Sequence, residues 1–243
     1  MSIGTRYIEY LQSKLQEVLD NEMPNIEKAA QLMTESCLKG GRIYVFGTGH
    51  SHMISEEMYI RAGGLALVHA ILPPELMLSS MATKSTMVER LEGYAPALVD
   101  LYCIDEKDTL MVVSNSGRNA VPVEMCLEAK KKGAAVIALC SMKHSSSCTS
   151  RHHSGKRIFE IADVTIDNCA DIGDAGFEVE GLKAKIGPTS DATGIAIAEA
   201  LICQVVDNLV KAGIEPPIFQ SSNVDGGDNH NDEIFAKYYG YWK

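Results

Sequence analysis

The sequence lacks the features that mark membrane, secreted and nucleic-acid-binding proteins. It has no uninterrupted apolar run near the ~20 residues that span a bilayer, and its amphipathic start does not resemble a signal peptide. Lysine and arginine number only 22, against 32 aspartate and glutamate, so the net charge is −10. Because duplex nucleic acid and anionic membranes are bound by basic surfaces, we expect neither as a partner.

The seven cysteines form no CxxC pair. Several lie in apolar stretches, as Cys140 does in AAVIALC, which is typical of buried, reduced thiols. This pattern predicts a cytoplasmic protein without a disulfide framework. The 243 residues are enough for one substantial α/β domain or for two small domains.

Short apolar segments alternate with helical periodicity through most of the chain. Five segments are predicted as buried strands: 42–47, 65–72, 109–114, 134–140 and 163–168. Helices are predicted over 5–20, 24–38, 51–62, 85–100 with a break near Gly93, 120–132 and 189–212. This alternation favours βαβ units and an α/β fold. We therefore predict a three-layer αβα sandwich around a five-stranded parallel sheet, preceded by two N-terminal helices.

The other segments carry weaker signals. Residues 141–157 are predicted as a loop or short helix, and residues 169–188 as an irregular stretch rich in glycine and aspartate. No repeat or long linker divides the chain, which predicts a single structural domain overall. Its parts are N-terminal helices over 1–40 that pack on the core or on a partner subunit, a ligand-binding domain over 41–215, and a tail over 216–243.

Two strand-to-helix loops have the composition of phosphate-binding loops. In YVFGTGHSH, Gly47 and Gly49 permit tight turns, and Ser51 stands near the start of a helix, where free N–H groups and the helix dipole converge. In MVVSNSGRN, Ser114 and Ser116 offer two hydroxyls before the next helix. Ligands of open α/β sheets bind beyond the carboxyl ends of the strands, so both loops are predicted to face one crevice.

Each loop alone also fits a purely structural role. Glycine loops after a first strand are common for steric reasons, and serine is a frequent helix N-cap. The first loop does not match the dinucleotide-binding pattern GxGxxG, because His52 stands where the third glycine would be. It also lacks the GK[ST] ending of a nucleotide P-loop.

The two loops, together with GPTSDATG at the start of the helix over 189–212, resemble the sugar isomerase (SIS) domain family. The match runs through residues 25–212 in order, and SxSG and PTSxxT are its specific motifs. The layout, including the NVDGGDNHN segment, most resembles an uncharacterised bacterial group of SIS-domain proteins. The resemblance implies a flavodoxin-like SIS fold and a phosphorylated sugar as the ligand.

The resemblance also implies which residues line the ligand pocket. The phosphate- and sugar-binding set that it implies is Gly47, Gly49, His50, Ser51, Ser114, Asn115, Ser116, Asn119, Thr189 and Ser190. Asn119 departs from the family, whose members usually have threonine or serine at this position.

An isomerase also needs a base that moves a proton between two carbons, and a carboxylate or histidine can serve. Glu75 follows the second strand, where similar pentose-phosphate isomerases have a glutamate; the alternative is a solvated loop residue. Glu57 is a second candidate, although several relatives place their glutamate further along this helix, where Arg61 stands. In some similar SIS enzymes a histidine from elsewhere in the chain or from a neighbouring subunit assists ring opening, so the resemblance makes His230 a candidate for this role. The alternative is a subunit contact or a disordered tail.

Cys148, His152 and His153 form a C-x₃-H-H cluster with the chemistry of metal ligands. One short cluster in a serine-rich stretch lacks a full ligand set, so a surface loop is favoured. Neither a metal nor a cofactor is predicted.

The leading hypothesis is a cytoplasmic phosphosugar isomerase that interconverts an aldose and a ketose. The alternatives are a lyase, deaminase or etherase-like enzyme acting on an amino-sugar phosphate, and a non-catalytic phosphosugar sensor. The N-terminal helices and the aromatic end YYGYWK offer apolar surface, and the family resemblance points to oligomers. We therefore expect a homodimer or homotetramer.

Overall fold

The computed structural model describes residues 1–79 and 81–240. In these residues the helices are α1 (Ile3–Asn21), α2 (Met23–Leu38), α3 (His52–Glu57), α4 (Ala82–Val88), α5 (Ala95–Leu101), α6 (Ala120–Lys131), α7 (Met142–Ser146), α8 (Ser190–Lys211) and α9 (Gly227–Tyr238). The strands are β1 (Ile43–Gly47), β2 (Val68–Ile71), β3 (Thr109–Val113), β4 (Ala135–Cys140), β5 (Val164–Asp167), β6 (Ala175–Phe177) and β7 (Ile186–Pro188).

Strands β1 to β5 form one parallel sheet in the order β2-β1-β3-β4-β5. Alternate side chains of each strand point to opposite faces. Val45 and Met111 pack into one core with α2, α3 and α8, whereas Phe46 and Val112 pack into a second core with α5 and α6. The predicted three-layer αβα sandwich with a five-stranded parallel sheet is therefore confirmed.

Helix α3 is shorter than the helix predicted over 51–62, because it ends at Glu57. The following segment pairs with the C-terminal part of the chain instead. The N–H of Gly63 donates to the carbonyl oxygen of Phe219 at 2.8 Å, and the N–H of Ala66 donates to that of Pro217 at 2.9 Å. Because of these long-range hydrogen bonds, the chain leaves the helical conformation before β2 begins.

The prediction of an irregular stretch over 169–188 is wrong for two short segments, which form the antiparallel hairpin of β6 and β7. Each strand has only three residues, too few to show an alternating pattern. Contacts with α1 hold the hairpin. The Tyr7 hydroxyl donates to the Pro188 carbonyl oxygen at 2.8 Å, and the Tyr7 ring meets Phe177 edge-on at 5.7 Å.

The tail predicted over 216–243 contains helix α9. The side chain of Asn231 bonds both the N–H and the carbonyl oxygen of Gln220, which fixes the helix to the segment before it. Phe219, Ile234 and Tyr239 form a small apolar core against Ala66. Residues 241–243 of the aromatic end lie outside the described residues.

Helix α8 is long and apolar enough, by composition alone, to cross a membrane. Its apolar side has another partner in this fold. Ile197, Leu201 and Val205 are buried in the first core, where α8 packs against α2. The hydropathy of α8 is therefore that of the central helix of a globular domain.

His69 on β2 is enclosed by aromatic side chains. Its ring stacks on Tyr239 at a centroid distance of 4.9 Å, with the rings of Tyr44 and Tyr59 at 5.9 and 6.5 Å. Burial, assisted by the positive charge of Arg42, lowers the pKa of His69 from 6.5 to about 4. The folded protein therefore holds this ring neutral at neutral pH.

The unfolded chain takes up a proton on His69 near pH 6.5, whereas the folded protein does so only near pH 4. The free energy of unfolding should therefore decrease as the pH falls through this window. We expect this pH-dependent part of the free energy of unfolding, which amounts to at most about 3 kcal/mol, to be absent in His69→Phe. Urea denaturation of both proteins across this pH range measures the difference, and parallel pH dependences would contradict it.

Candidate functional site

The loop between β1 and α3 folds back across the carboxyl end of β1. A Cβ on Gly47 would lie 2.4 Å from the carbonyl oxygen of Ser51, so only glycine fits where the chain crosses the strand end. The buried ring of His52 fixes the turn through a hydrogen bond from its Nδ1 to the carbonyl oxygen of Gly49. This arrangement leaves Ser51 half-buried and His50 exposed at the edge of the sheet.

The loop between β3 and α6 is a tight turn closed by its own first serine. Ser114 Oγ accepts a hydrogen bond from the N–H of Gly117 at 3.2 Å. Gly117 has a φ of +60°, and a Cβ there would lie 2.9 Å from both Ile158 Cγ1 and Ser145 Oγ. Conformation and space therefore both require glycine, and the turn presents Ser116 half-buried at the same sheet edge.

The loops after β4 and β5 brace this turn. The side-chain oxygen of Asn115 accepts from Nδ2 of Asn168 at 3.1 Å, and its carbonyl oxygen accepts from the N–H of Ser141 at 3.1 Å. The carbonyl oxygen of Ser116 accepts from the thiol of Cys148 at 3.8 Å. Asn115 thus links the turn after β3 to the loops after β4 and β5.

Positive charge is concentrated beside the serine loop. Burial, together with the charges of Arg118 and Arg90, lowers the pKa of Arg151. Arg151 donates from Nη1 to the side-chain oxygen of Asn119 at 2.8 Å. The Nε of Arg118 is buried and has no hydrogen-bond partner among the described residues. Guanidinium groups gathered in this way, in a chain of net charge −10, favour an anionic ligand.

The N-termini of α6 and α8 differ in what covers them. Asn119 occupies the N-cap position of α6, but its side chain turns to Arg151 and makes no capping hydrogen bond. At α8, the Asp174 carboxylate accepts from the N–H groups of Thr189 and Ser190 at 3.1 and 2.9 Å. It also accepts from Ser190 Oγ at 2.7 Å. A carboxylate thus fills the place that an anion would take at α8. At α6 the N–H of Val121 donates to the carbonyl oxygen of Glu89 at 3.0 Å and Pro122 has no N–H, so the first turn of this helix offers few donors to a ligand.

The start of α8 lies beside the GTGHS loop. The hydroxyl of Thr189 is buried, without a hydrogen-bond partner in the part of the chain that the structure describes. Burial raises the pKa of Asp191, and the nearby His50 and His52 oppose the shift. The GTGHS loop and the N-terminus of α8 therefore face each other.

Glu75 stands on a short 3-10 turn, Pro74–Leu76, directly after β2. Its carboxylate is exposed and accepts from the Tyr94 hydroxyl at 3.2 Å. This turn and the turn at Gly49–Ser51 both pack against α4. Glu75 and Ser51 therefore share the carboxyl edge of the sheet.

The other two candidate catalytic residues have partners of their own. Glu57 forms an ion pair with Arg61. His230 lies on α9, with its Nε2 2.8 Å from the carbonyl oxygen of Ile218. Ile218 pairs with Leu65, which precedes β2. Within one chain His230 therefore lies toward the amino end of β2, away from the serine loops, and its part in ring opening stays a prediction.

A doubly wound parallel sheet with glycine- and serine-rich loops at its carboxyl edge defines a class of small-molecule-binding α/β domains. Residues 6–141 match the model of the SIS domain. Over 234 residues the chain is 53% identical to a UPF0309 protein of Halalkalibacterium halodurans, covering 96% of this chain and 97% of that protein. The chain therefore belongs to the SIS domain family, as the SxSG and PTSxxT motifs predicted.

Solved structures of low sequence identity share the fold. A phosphoheptose isomerase from Francisella tularensis aligns with a TM-score of 0.55 at 19% identity, covering 85% of this chain and 100% of that chain. The sugar isomerase domain of an RpiR transcription factor from Sphaerobacter thermophilus aligns with a TM-score of 0.52 at 14% identity, covering 87% and 93%. The same fold thus occurs in an enzyme and in a transcription factor.

Replacing Asp174 tests how the N-terminus of α8 is held. We expect Asp174→Ala to lower the free energy of unfolding by about 2 kcal/mol, because three donors lose a charged acceptor. Asp174 also has a φ of 70°, which aspartate and asparagine tolerate better than alanine. Asp174→Asn, which keeps a side-chain oxygen, should cost less than half as much. Equal losses in the two variants, measured by urea denaturation, would contradict the capping role.

Proposed function

We propose that the chain binds a phosphorylated sugar with its phosphate at the serine turn between β3 and α6. The observation that carries the proposal is the buried Nε of Arg118, which has no hydrogen-bond partner among the described residues. Arg118 directly follows the turn that carries Ser114 and Ser116. A phosphate there accepts bonds from both hydroxyls, the guanidinium and the N–H groups of the turn, and Ser51 approaches from the neighbouring loop.

The other pocket residues take supporting roles in this proposal. Asn119 orients Arg151, and Asn115 braces the serine turn. Ser190 holds Asp174 in place, so it acts on the shape of the pocket without touching phosphate. Thr189 is wholly buried, and its hydroxyl has no hydrogen-bond partner among the described residues, so we assign it no direct contact with the sugar.

We further propose that the reaction is aldose–ketose isomerisation with Glu75 as the base. Strands β2 and β3 flank β1, so their carboxyl ends lie about 10 Å apart, two strand spacings of ~4.8 Å. That separation suits an open-chain sugar with its phosphate at the serine loop and its carbonyl end at Glu75. The carboxylate then moves a proton between C1 and C2 through an enediol. The fold shared with a phosphoheptose isomerase supports this assignment.

A second candidate is a phosphosugar sensor without turnover, which the fold shared with a transcription factor domain favours. An enzyme of the lyase, deaminase or etherase type would use the same phosphate site. In either case we place the protein in the cytoplasm as a homo-oligomer. In such an oligomer, His230 of a second copy of the chain would reach the pocket.

Ser116→Ala tests the phosphate site. We expect at least tenfold weaker binding of sugar phosphates, since a hydrogen bond to a charged group contributes about 1.5–3 kcal/mol. Calorimetric titration with pentose, hexose, amino-hexose and heptose phosphates measures the affinity. Ser146→Ala, which removes an exposed hydroxyl bonded to Met142 on α7, is the matched control. Unchanged affinity in Ser116→Ala would remove the serine loop from the phosphate site.

Glu75→Gln separates catalysis from binding. We expect turnover of the identified sugar phosphate to fall by a factor of about 10² or more, because the amide cannot accept the proton. Affinity should stay within about twofold, since the phosphate is held at the other end of the ligand. Glu180→Gln, an exposed carboxylate outside the pocket, is the control. Full turnover in Glu75→Gln would exclude it as the base, and no turnover in the parent protein would favour the sensor.

A further inference from the structure

Glu92, His152 and His153 bring one ligand-type atom each within 4.8 Å of one another. They come from two separate segments: Glu92 lies between α4 and α5, and the histidines lie in the loop between α7 and β5. The two imidazole rings have centroids 4.1 Å apart. Glu92 accepts from the N–H of His153 at 2.8 Å and lies 2.7 Å from its Nδ1.

An exposed ion pair explains the contact between Glu92 and His153, but it does not explain His152. Only 2% of the His152 side chain is exposed. Its Nδ1 is 2.8 Å from the hydroxyl of Ser154, whereas its Nε2 is buried without a hydrogen-bond partner within residues 1–79 and 81–240. A buried imidazole nitrogen without a partner is costly unless something else binds it.

A second carboxylate lies behind this nitrogen. Glu124 on α6 has its Oε1 3.5 Å from the Nε2 of His152, and its side chain is 9% exposed. The N–H of Gly93 holds both of its oxygens at 2.8 and 2.9 Å. Two carboxylates and two imidazoles thus lie close together, a set of groups that suits one divalent cation.

We propose that Glu92, His152 and His153 bind a zinc ion. Zn²⁺ takes histidine nitrogen and carboxylate oxygen at about 2.0–2.2 Å, so atoms within 4.8 Å reach one ion after small side-chain rotations. Ser154 contacts Nδ1 of His152 with its hydroxyl at 2.8 Å and with its N–H at 3.2 Å, which leaves Nε2 as the nitrogen available to the metal. A water molecule fills the fourth position on the exposed side, and Glu124 compensates the charge.

The zinc ion joins the loop over 148–157 to the turn before α5. This loop carries Arg151, whose N–H donates to the carbonyl oxygen of Arg118 at 2.8 Å and whose guanidinium holds Asn119. Cys148 is not part of the site, because its thiol lies against the carbonyl oxygens of Ser116 and Ser145. The ion therefore stabilises the loop that borders the serine turn, whether or not a sugar phosphate binds there.

Metal titration of the full chain tests the proposal without any sugar. After treatment with a chelator and its removal, CoCl₂ should bind once per chain and give visible absorption bands, which ZnCl₂ should abolish. We expect Glu92→Gln and His153→Ala each to weaken Zn²⁺ binding at least tenfold. Both side chains are exposed, so these variants should fold normally.

Two controls separate this site from other metal binding. Glu106→Gln removes an exposed carboxylate elsewhere, and His50→Ala removes a histidine at the serine loops; neither should change the affinity for Zn²⁺. His152→Ala should abolish binding, with circular dichroism to check the fold. Parent-like affinity in Glu92→Gln and His153→Ala, or a loss confined to His50→Ala, would overturn the proposal.

Discussion

The turn closed by Ser114 and Gly117 is the constraint on which the rest of the candidate site depends. It combines a hydrogen bond from the Gly117 N–H, a left-handed backbone and a space too small for a Cβ. Ile158 and Ser145 define that space, so the segments after β4 are built around the turn. The positions of Asn115, Arg118 and the loop over 148–157 follow from it.

Local charge at this turn is opposite in sign to that of the whole chain. The protein carries a net charge of −10, yet guanidinium groups meet beside the serine loop. Asp174 shows the complementary case, because its carboxylate satisfies the N-terminus of α8 from within the fold. The first turn of α6 is also largely satisfied from within the fold, because the N–H of Val121 donates to the carbonyl oxygen of Glu89 and Pro122 has no N–H. The proposed phosphate site therefore depends on the serine turn and the guanidinium of Arg118, not on an open helix end.

The sheet and its main helices could be predicted from the sequence because β1 and β3 are wholly buried and the helices have clear periodicity and stop signals. The serine loops could be predicted because glycine and serine follow the strands directly. The hairpin of β6 and β7, helix α9 and the partnership of Asp174 with Ser190 depend on residues far apart in the chain. The same holds for Glu92, which lies about 60 positions before the histidines that it meets. Periodicity and spacing carry no information on such contacts.

Helix α9 and the segment before it cover strand β2, which forms one edge of the sheet. The hydroxyl of Tyr239 donates to the carbonyl oxygen of Val68 at 3.1 Å, and the N–H of Ala66 is bonded to Pro217. An uncovered edge strand offers its backbone to strands of other molecules and promotes aggregation. The C-terminal segment thus covers the start of this edge strand, which limits its pairing with strands of other molecules.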